Sequence, residues 1–350
     1  MQITRGELAD ATARGLLSRE QADGLWAFLV ERQRETPGFK PAHILYYLGG
    51  LIAIGAMTLF MTLGWQRLGG AGLLGIALGY VAVAVALTEA LLHRRQSLPA
   101  GITAALAIAL VPLAVYGAQH LLGYWSDDDP AQQYRAFHTR IDWRWLLMEL
   151  ATLAAGVVAL WRWRLPFIVM PVAVTLWYMG MDLVPMLLGG DTAGFFSDEG
   201  KRISLAYGAA LMVVALWVDV RSRATLDFAF WLYIVGVASF WGGLSAMDSD
   251  SELGKAVYAA INLLLIATGA ALSRRVFAVF GGLGVAFYLG HLASTVFKDS
   301  LLFPVALTAI GLGFVAAGVL WQRHEAALGA RLRAPLPAAL RELVERRASH

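Results

Sequence analysis

The chain has 350 residues, 58% of them hydrophobic and only 15% charged, with a formal net charge of +3. Soluble domains run at about 45–50% apolar and about 25% charged, so this chain holds more apolar surface than an aqueous core of its size can hide. It contains no cysteine, which excludes disulfides, thiol nucleophiles, Fe–S clusters and Cys-ligated zinc.

From the N-terminus, residues 4–35 read as two short polar helices. Thr4 with Glu7 and Ser18 with Gln21 have capping-box spacing, and Gly15 closes the first helix between them. Leu16, Leu17, Leu25, Trp26, Leu29 and Val30 form an apolar seam, and Pro37 and Pro41 stop the second helix. The region is polar, with no cleavable leader pattern, so the first span is expected to act as an uncleaved insertion signal. Its mixed charge lacks a basic recognition face, which favours a regulatory or dimerising cytoplasmic cap over a DNA reader and leaves nucleic acid out as a partner.

Ten long apolar runs follow, at residues 44–63, 71–92, 99–121, 145–161, 165–188, 203–220, 226–247, 256–272, 276–297 and 300–321. A bilayer requires helices here, because lipid satisfies no open backbone group. The expected fold class is therefore all-α: a polytopic helical membrane protein with a cap over residues 1–40, ten transmembrane helices over 44–321 and a cytoplasmic tail over 322–350. In the tail, Leu336, Ala339, Leu340, Leu343 and Val344 fall at helical spacing among Arg341, Arg346 and Arg347, the pattern of an amphipathic helix on an anionic leaflet.

With both termini inside, 20 of the 28 Lys and Arg fall on the inner side, including the pairs Arg94/Arg95, Arg162/Arg164, Arg221/Arg223 and Arg274/Arg275. This positive-inside bias predicts an inner (plasma) membrane protein with cytoplasmic termini and lipid as its main partner. The inner turns also look alike. "VVALW" occurs at 157–161 and again at 213–217, each time shortly before basic residues, with weaker echoes at 89–99 and 267–277. Two readings stay open: tandem parallel hairpin repeats, or the ordinary likeness of short basic loops. Gly75/Gly79, Gly282/Ala286/Gly290 and Ala309/Gly313/Ala317 have the spacing of close helix contacts.

Residues 14–30 ("RGLLSREQADGLWAFLV") followed by "ILYYLGGLIAIGAMTLFMTLGW" at 44–65 carry a further signal. A turn from Gly15 to Gln21 precedes a glycine-rich first span that runs into Trp65. Over this first quarter the chain resembles a bacterial family of multi-pass inner-membrane proteins, the domain-of-unknown-function family numbered twenty-one fifty-seven. The resemblance implies a membrane protein with a short helical cap, and no activity, cofactor or catalytic residue.

Ionisable groups within spans are rare and costly, so each is a functional candidate. Glu89, Asp219 and Asp227 lie near inner helix ends, where Arg94, Arg221 and Arg223 are the expected ion-pair partners. A second set lies deeper. Asp182 in the fifth span sits about six residues, ~9 Å, from the outer end. Asn262 in the eighth span and His291 in the ninth fall at a similar depth, and Glu149 in the fourth is slightly shallower. Tyr178 precedes Asp182 by one turn and Pro185 follows it, so that Met181 loses an amide donor for its carbonyl. If these faces converge, they form an outer-half pocket for a small molecule, proton or cation. The alternative is that each polar group only ties neighbouring helices together.

Other strings fail. "GFFSDEGKR" at 194–202 has the wrong glycine spacing for a phosphate loop and Arg202 where Ser or Thr belongs; "HEAAL" at 324–328 lacks the second histidine of a zinc protease; no G-x-S-x-G elbow occurs. No cofactor or metal is implied. The leading expectation is a transporter-like protein with Asp182, Glu149, His291, Asn262 and Tyr178 in its pocket. The others are a non-enzymatic scaffold or sensor that binds a cytoplasmic partner or a second copy through residues 1–40, and a lipid-modifying enzyme using Asp127–Asp129 in the aromatic-rich outer loop.

Overall fold

The computed structural model describes residues 8, 11–26, 41–125, 143–188, 197–222, 226–247 and 251–292, with 304, 305, 308, 311–313 and 316. The Asp127–Asp129 loop, the amphipathic tail and the Thr4/Glu7 cap fall outside these residues. Contacts divide the chain into a unit of residues 1–49 (with residue 350) and a unit of residues 50–349.

In the first unit the expected helix signals are formed. Gly15 takes φ +74 and Leu16 N–H returns to the Ala11 carbonyl at 3.0 Å, a left-handed helix stop. The capping box closes both ways: Ser18 N–H donates to Gln21 Oε1 at 3.0 Å and Gln21 N–H to Ser18 Oγ at 3.1 Å. Leu16 of the expected apolar seam is exposed.

The second unit is built from α1 (Pro41–His93, which begins in the first unit), α2 (Ser97–Ala109), α3 (Val111–Leu121), α4 (Trp143–Trp163), a 3-10 turn (Pro166–Ile168), α5 (Val169–Leu188), α6 (Asp198–Arg221), α7 (Phe230–Ala246), α8 (Glu252–Leu272) and α9 (Arg275–His291). Every element among the described residues is helical. Among the described residues, five stretches are long and apolar enough to cross a membrane: Gly69–His93, Ser97–Leu121, Trp143–Trp163, Asp198–Arg221 and Glu252–Leu272. Shorter apolar helices cover Pro166–Asp182, Phe230–Ala246 and Arg275–His291. The expected span at 226–247 thus corresponds to a helix of 17 residues, and that at 276–297 is described only as far as residue 292.

Instead of a loop between the first two expected spans, α1 has one non-helical residue, Gly69 (φ 59, ψ −178). Gly50 lies against Ile102, Gly70 against Leu121, Gly117 against Leu74, and Thr88 Oγ1 meets Thr103 Oγ1 at 2.9 Å. Residues 50 and 88 therefore flank the same part of α2 while residue 70 lies at the end of α3, so the chain reverses at Gly69. Only glycine adopts that backbone without strain.

Glycine also sets where helices meet. A Cβ on Gly208 would lie 2.2 Å from Phe240 N, one on Gly236 2.9 Å from Met212 N, and one on Gly243 2.7 Å from Lys201 O, so α6 and α7 touch backbone to backbone. Gly281 and Gly284 bring α9 onto α8, Gly156 of α4 receives Val172 of α5, and Gly180 of α5 receives the Tyr207 ring of α6. This corrects the expectation drawn from small-residue spacing: Gly75, Gly79, Gly282, Gly290 and Gly313 face open space. Spacing alone does not say which face of a helix is covered.

The basic turns lie at one end of the bundle. Glu89 of α1 binds Arg162 and Trp163 of α4, Gly101 of α2 abuts Phe167, Phe167 stacks edge-on with Trp231 of α7 (5.5 Å), and Arg274 reaches Asp219 and Asp227. Three of these turns use a left-handed residue, Arg95, Arg164 and Ser273. The two "VVALW" strings sit alike as well: Trp161 and Trp217 are exposed with their valines, whereas Ala159 and Ala215 are buried.

The glycine contacts predict a clear contrast. Gly208→Val, which forces a side chain into the α7 backbone, should cost about 1–3 kcal/mol or prevent assembly. Gly79→Ala should stay within about 0.5 kcal/mol. Thermal unfolding in detergent, followed by tryptophan fluorescence, measures both.

Candidate functional site

The buried stripe of α4, Met148, Thr152, Gly156 and Ala159, faces its neighbours at helical spacing. Glu149 lies one position off that stripe and is half-buried. It lies close enough to Asp182 of α5 for the two groups to act on each other electrostatically. Two carboxyls from different helices thus lie near each other, 33 residues apart in sequence, and α6 adds Tyr207. Its ring lies over Gly180, its hydroxyl donates to the Leu176 carbonyl, and it is close enough to sense the charge of Glu149. The absence of a Cβ at Gly180, two residues before Asp182, makes room for the aromatic ring on α5. Two adjacent carboxylates cannot both carry a charge at low dielectric, so the pair needs a proton or a bound cation.

Tyr178 lies one turn before Asp182 on the same face of α5 and packs against Trp177, with ring centroids 5.4 Å apart. Asn262 and His291 occupy a different helix pair. Asn262 on α8 is fully buried; its Nδ2 donates to the Tyr258 carbonyl at 2.8 Å, and its Oδ1 presses against Gly284 of α9 with no hydrogen-bond partner. His291, the last residue of α9, places Nε2 3.5 Å from Oε1 of Glu252, the first residue of α8, which also accepts from Lys255 at 2.9 Å. Among the described residues, the structure joins Glu149 with Asp182 and gives Asn262 and His291 their contacts in the α8–α9 hairpin. No group of three or more His, Asp or Glu side chains suited to a metal occurs among the described residues.

A second polar centre lies at the basic end. Arg274 donates from Nε and Nη2 to both carboxylate oxygens of Asp219, at 3.2 and 2.8 Å. It also binds Asp227, from Nη2 at 2.8 Å and from Nη1, and stacks 4.9 Å over the ring of Tyr233. The side chains of Arg274 and Asp219 are only 7% and 6% exposed. A carboxylate in the last turn of α6 opposes the helix dipole, and the fork of Arg274 offsets this. The partners differ from the sequence expectation where the described residues test it: Asp219 pairs with Arg274 rather than Arg221, Asp227 also meets Arg274, and Glu89 pairs with Arg162 at 2.8 Å rather than Arg94, while Arg223 lies outside the described residues.

Nearness in sequence pointed to the wrong arginines because helix ends meet ends from other hairpins. Arg221 instead stacks on Trp217, 4.9 Å from the ring centroid. Tyr207 had one legible signal, a hydroxyl in the middle of an apolar run.

No family model matches the chain, and no curated protein or solved structure matches it. The apolar helices alone define its class, a helical membrane protein.

The nearness of the two carboxyls predicts energetic coupling. In a double-mutant cycle on thermal stability, Glu149→Gln and Asp182→Asn should depart from additivity by about 0.5–3 kcal/mol. Asp182→Asn combined with Asn262→Leu, in separate interfaces, should add to within about 0.5 kcal/mol.

Proposed function

We propose that the chain is a ten-span permease-like protein of the inner membrane with cytoplasmic termini, in which Glu149 and Asp182 bind a proton or small cation coupled to solute movement. The nearness of these carboxyls carries the reading. Charged pairs of one sign do not serve helix packing, whereas a site that takes up and releases positive charge requires them. Tyr207 and Tyr178 border the pair, and Asp182 is the principal binding group. His291 and Asn262 act in the neighbouring hairpin. The reversal at Gly69 and the gathering of the basic turns at one end support the span count and orientation. The alike placement of the two "VVALW" strings supports a duplicated hairpin. Membership in the family numbered twenty-one fifty-seven is part of this proposal and rests on the Gly15–Gln21 turn and the glycine-rich first span.

One observation favours a second reading, a scaffold or sensor: the capped helix beginning at Ser18 leaves Leu16 open for a partner. The two separate in complementation of a deletion phenotype. On the permease reading, Glu149→Gln and Asp182→Asn each reduce complementation at least tenfold while the chain still inserts, and removal of residues 1–38 has the smaller effect. Full complementation by both carboxyl variants, with loss on removing residues 1–38, selects the scaffold.

A further inference from the structure

The Arg274 centre joins three parts of the chain at the basic end. Asp219 lies in the last turn of α6, Asp227 in the irregular segment before α7, and Arg274 in the turn between α8 and α9. That turn is tight: Ser273 takes φ 54 and Arg274 N–H returns to the Gly269 carbonyl at 2.9 Å. It thereby presents Arg274 inward and leaves the adjacent Arg275 exposed. An apolar layer of Val169, Ala173, Ala215, Tyr233, Val237 and Leu265 packs behind the centre. Along α5 this layer lies between the basic end and Asp182, nine residues beyond Ala173.

We propose that Arg274 is the inner gate of the protein, a clasp that holds the basic ends of α6, α7 and the α8–α9 turn shut in the state described. The inference rests on the permease reading of the Glu149–Asp182 pair. The two arms of the clasp are unequal. Asp219 is buried with Arg274, whereas the Asp227 side chain is 44% exposed, so water reaches and can compete for that arm alone. Release of Asp227 frees the entry to α7, and the guanidinium stays paired with Asp219 and stacked on Tyr233, so no buried charge is abandoned. A permanent staple needs no such accessible arm. With the gate closed and the apolar layer intact, the carboxyl pair communicates only with the opposite side of the bundle.

Because the chain has no cysteine, single cysteines report access directly. Ala173→Cys tests the path, and Ala104→Cys, equally buried between α2 and the 3-10 turn, tests general loosening. Full-length protein in membrane vesicles of both orientations is treated with a membrane-impermeant maleimide. The cysteine at 173 should label slowly in the parent. From the side of the basic turns it should label at least tenfold faster with Asp227→Asn, and faster still with Arg274→Ala, while the cysteine at 104 stays slow. Unchanged labelling at 173 in the Asp227→Asn protein, or equal acceleration at 104, overturns the gate. Asp227→Asn alters only the exposed arm, so the test stands even where Arg274→Ala fails to fold. Labelling needs neither transport nor the carboxyl pair. An opened gate with fully active Glu149→Gln and Asp182→Asn proteins would therefore remove the permease reading and leave the clasp, and the converse pattern would remove only the clasp.

Discussion

Lipid does not push helices together, since a leucine is as well solvated by acyl chains as by another helix. Association has to come from close contact and from polar groups that find one another. The second unit shows both at their limits. Several of its helix contacts include a glycine whose missing side chain is occupied by a neighbour: Gly70 and Gly117 for α1 and α3, Gly101 for α2 and the 3-10 turn, Gly156 for α4 and α5, Gly208, Gly236 and Gly243 for α6 and α7, and Gly281 and Gly284 for α8 and α9. Large apolar side chains such as Val157, Trp161, Val213 and Leu264 are left facing outward, where a bilayer would receive them.

The same scarcity of partners organises the polar residues into two kinds of centre. At the basic end, charges of opposite sign meet: Glu89 with Arg162 and Trp163, and Arg274 with Asp219 and Asp227. In each, a guanidinium takes up carboxylate charge. Between α4, α5 and α6 the situation is reversed, with Glu149 beside Asp182 and a tyrosine whose hydroxyl is engaged by a backbone carbonyl. A compensated centre suits holding and releasing helix ends, and an uncompensated one suits binding a positive species. Their separation along α5 by an apolar layer gives the proposed path its two barriers and its direction.

The legibility of these features follows the range of the interactions that make them. Capping at Ser18 and Gln21 was readable because donor and acceptor are three residues apart, and the left-handed stop at Gly15 because glycine alone tolerates it readily. Glu149 and Asp182 stood out as acids in apolar runs, but their nearness depends on how α4 is rotated against α5. Asn262 and His291 stood out in the same way at a similar depth, and rotation gave them other neighbours. Depth along a helix is a count of residues; azimuth is set by packing.

The amino-acid sequence alone determined that most of this chain is helical and apolar, where many of its helices begin and end, and which residues are too polar to lie idle in a bilayer. These follow from local rules of backbone, hydropathy and capping. Only the tertiary structure decided which glycines are filled, that the chain reverses on Gly69, and that Arg274 rather than its neighbour Arg275 faces the two aspartates. Those outcomes depend on side chains separated by tens of residues and on the rotation of whole helices, which no periodicity within one segment encodes.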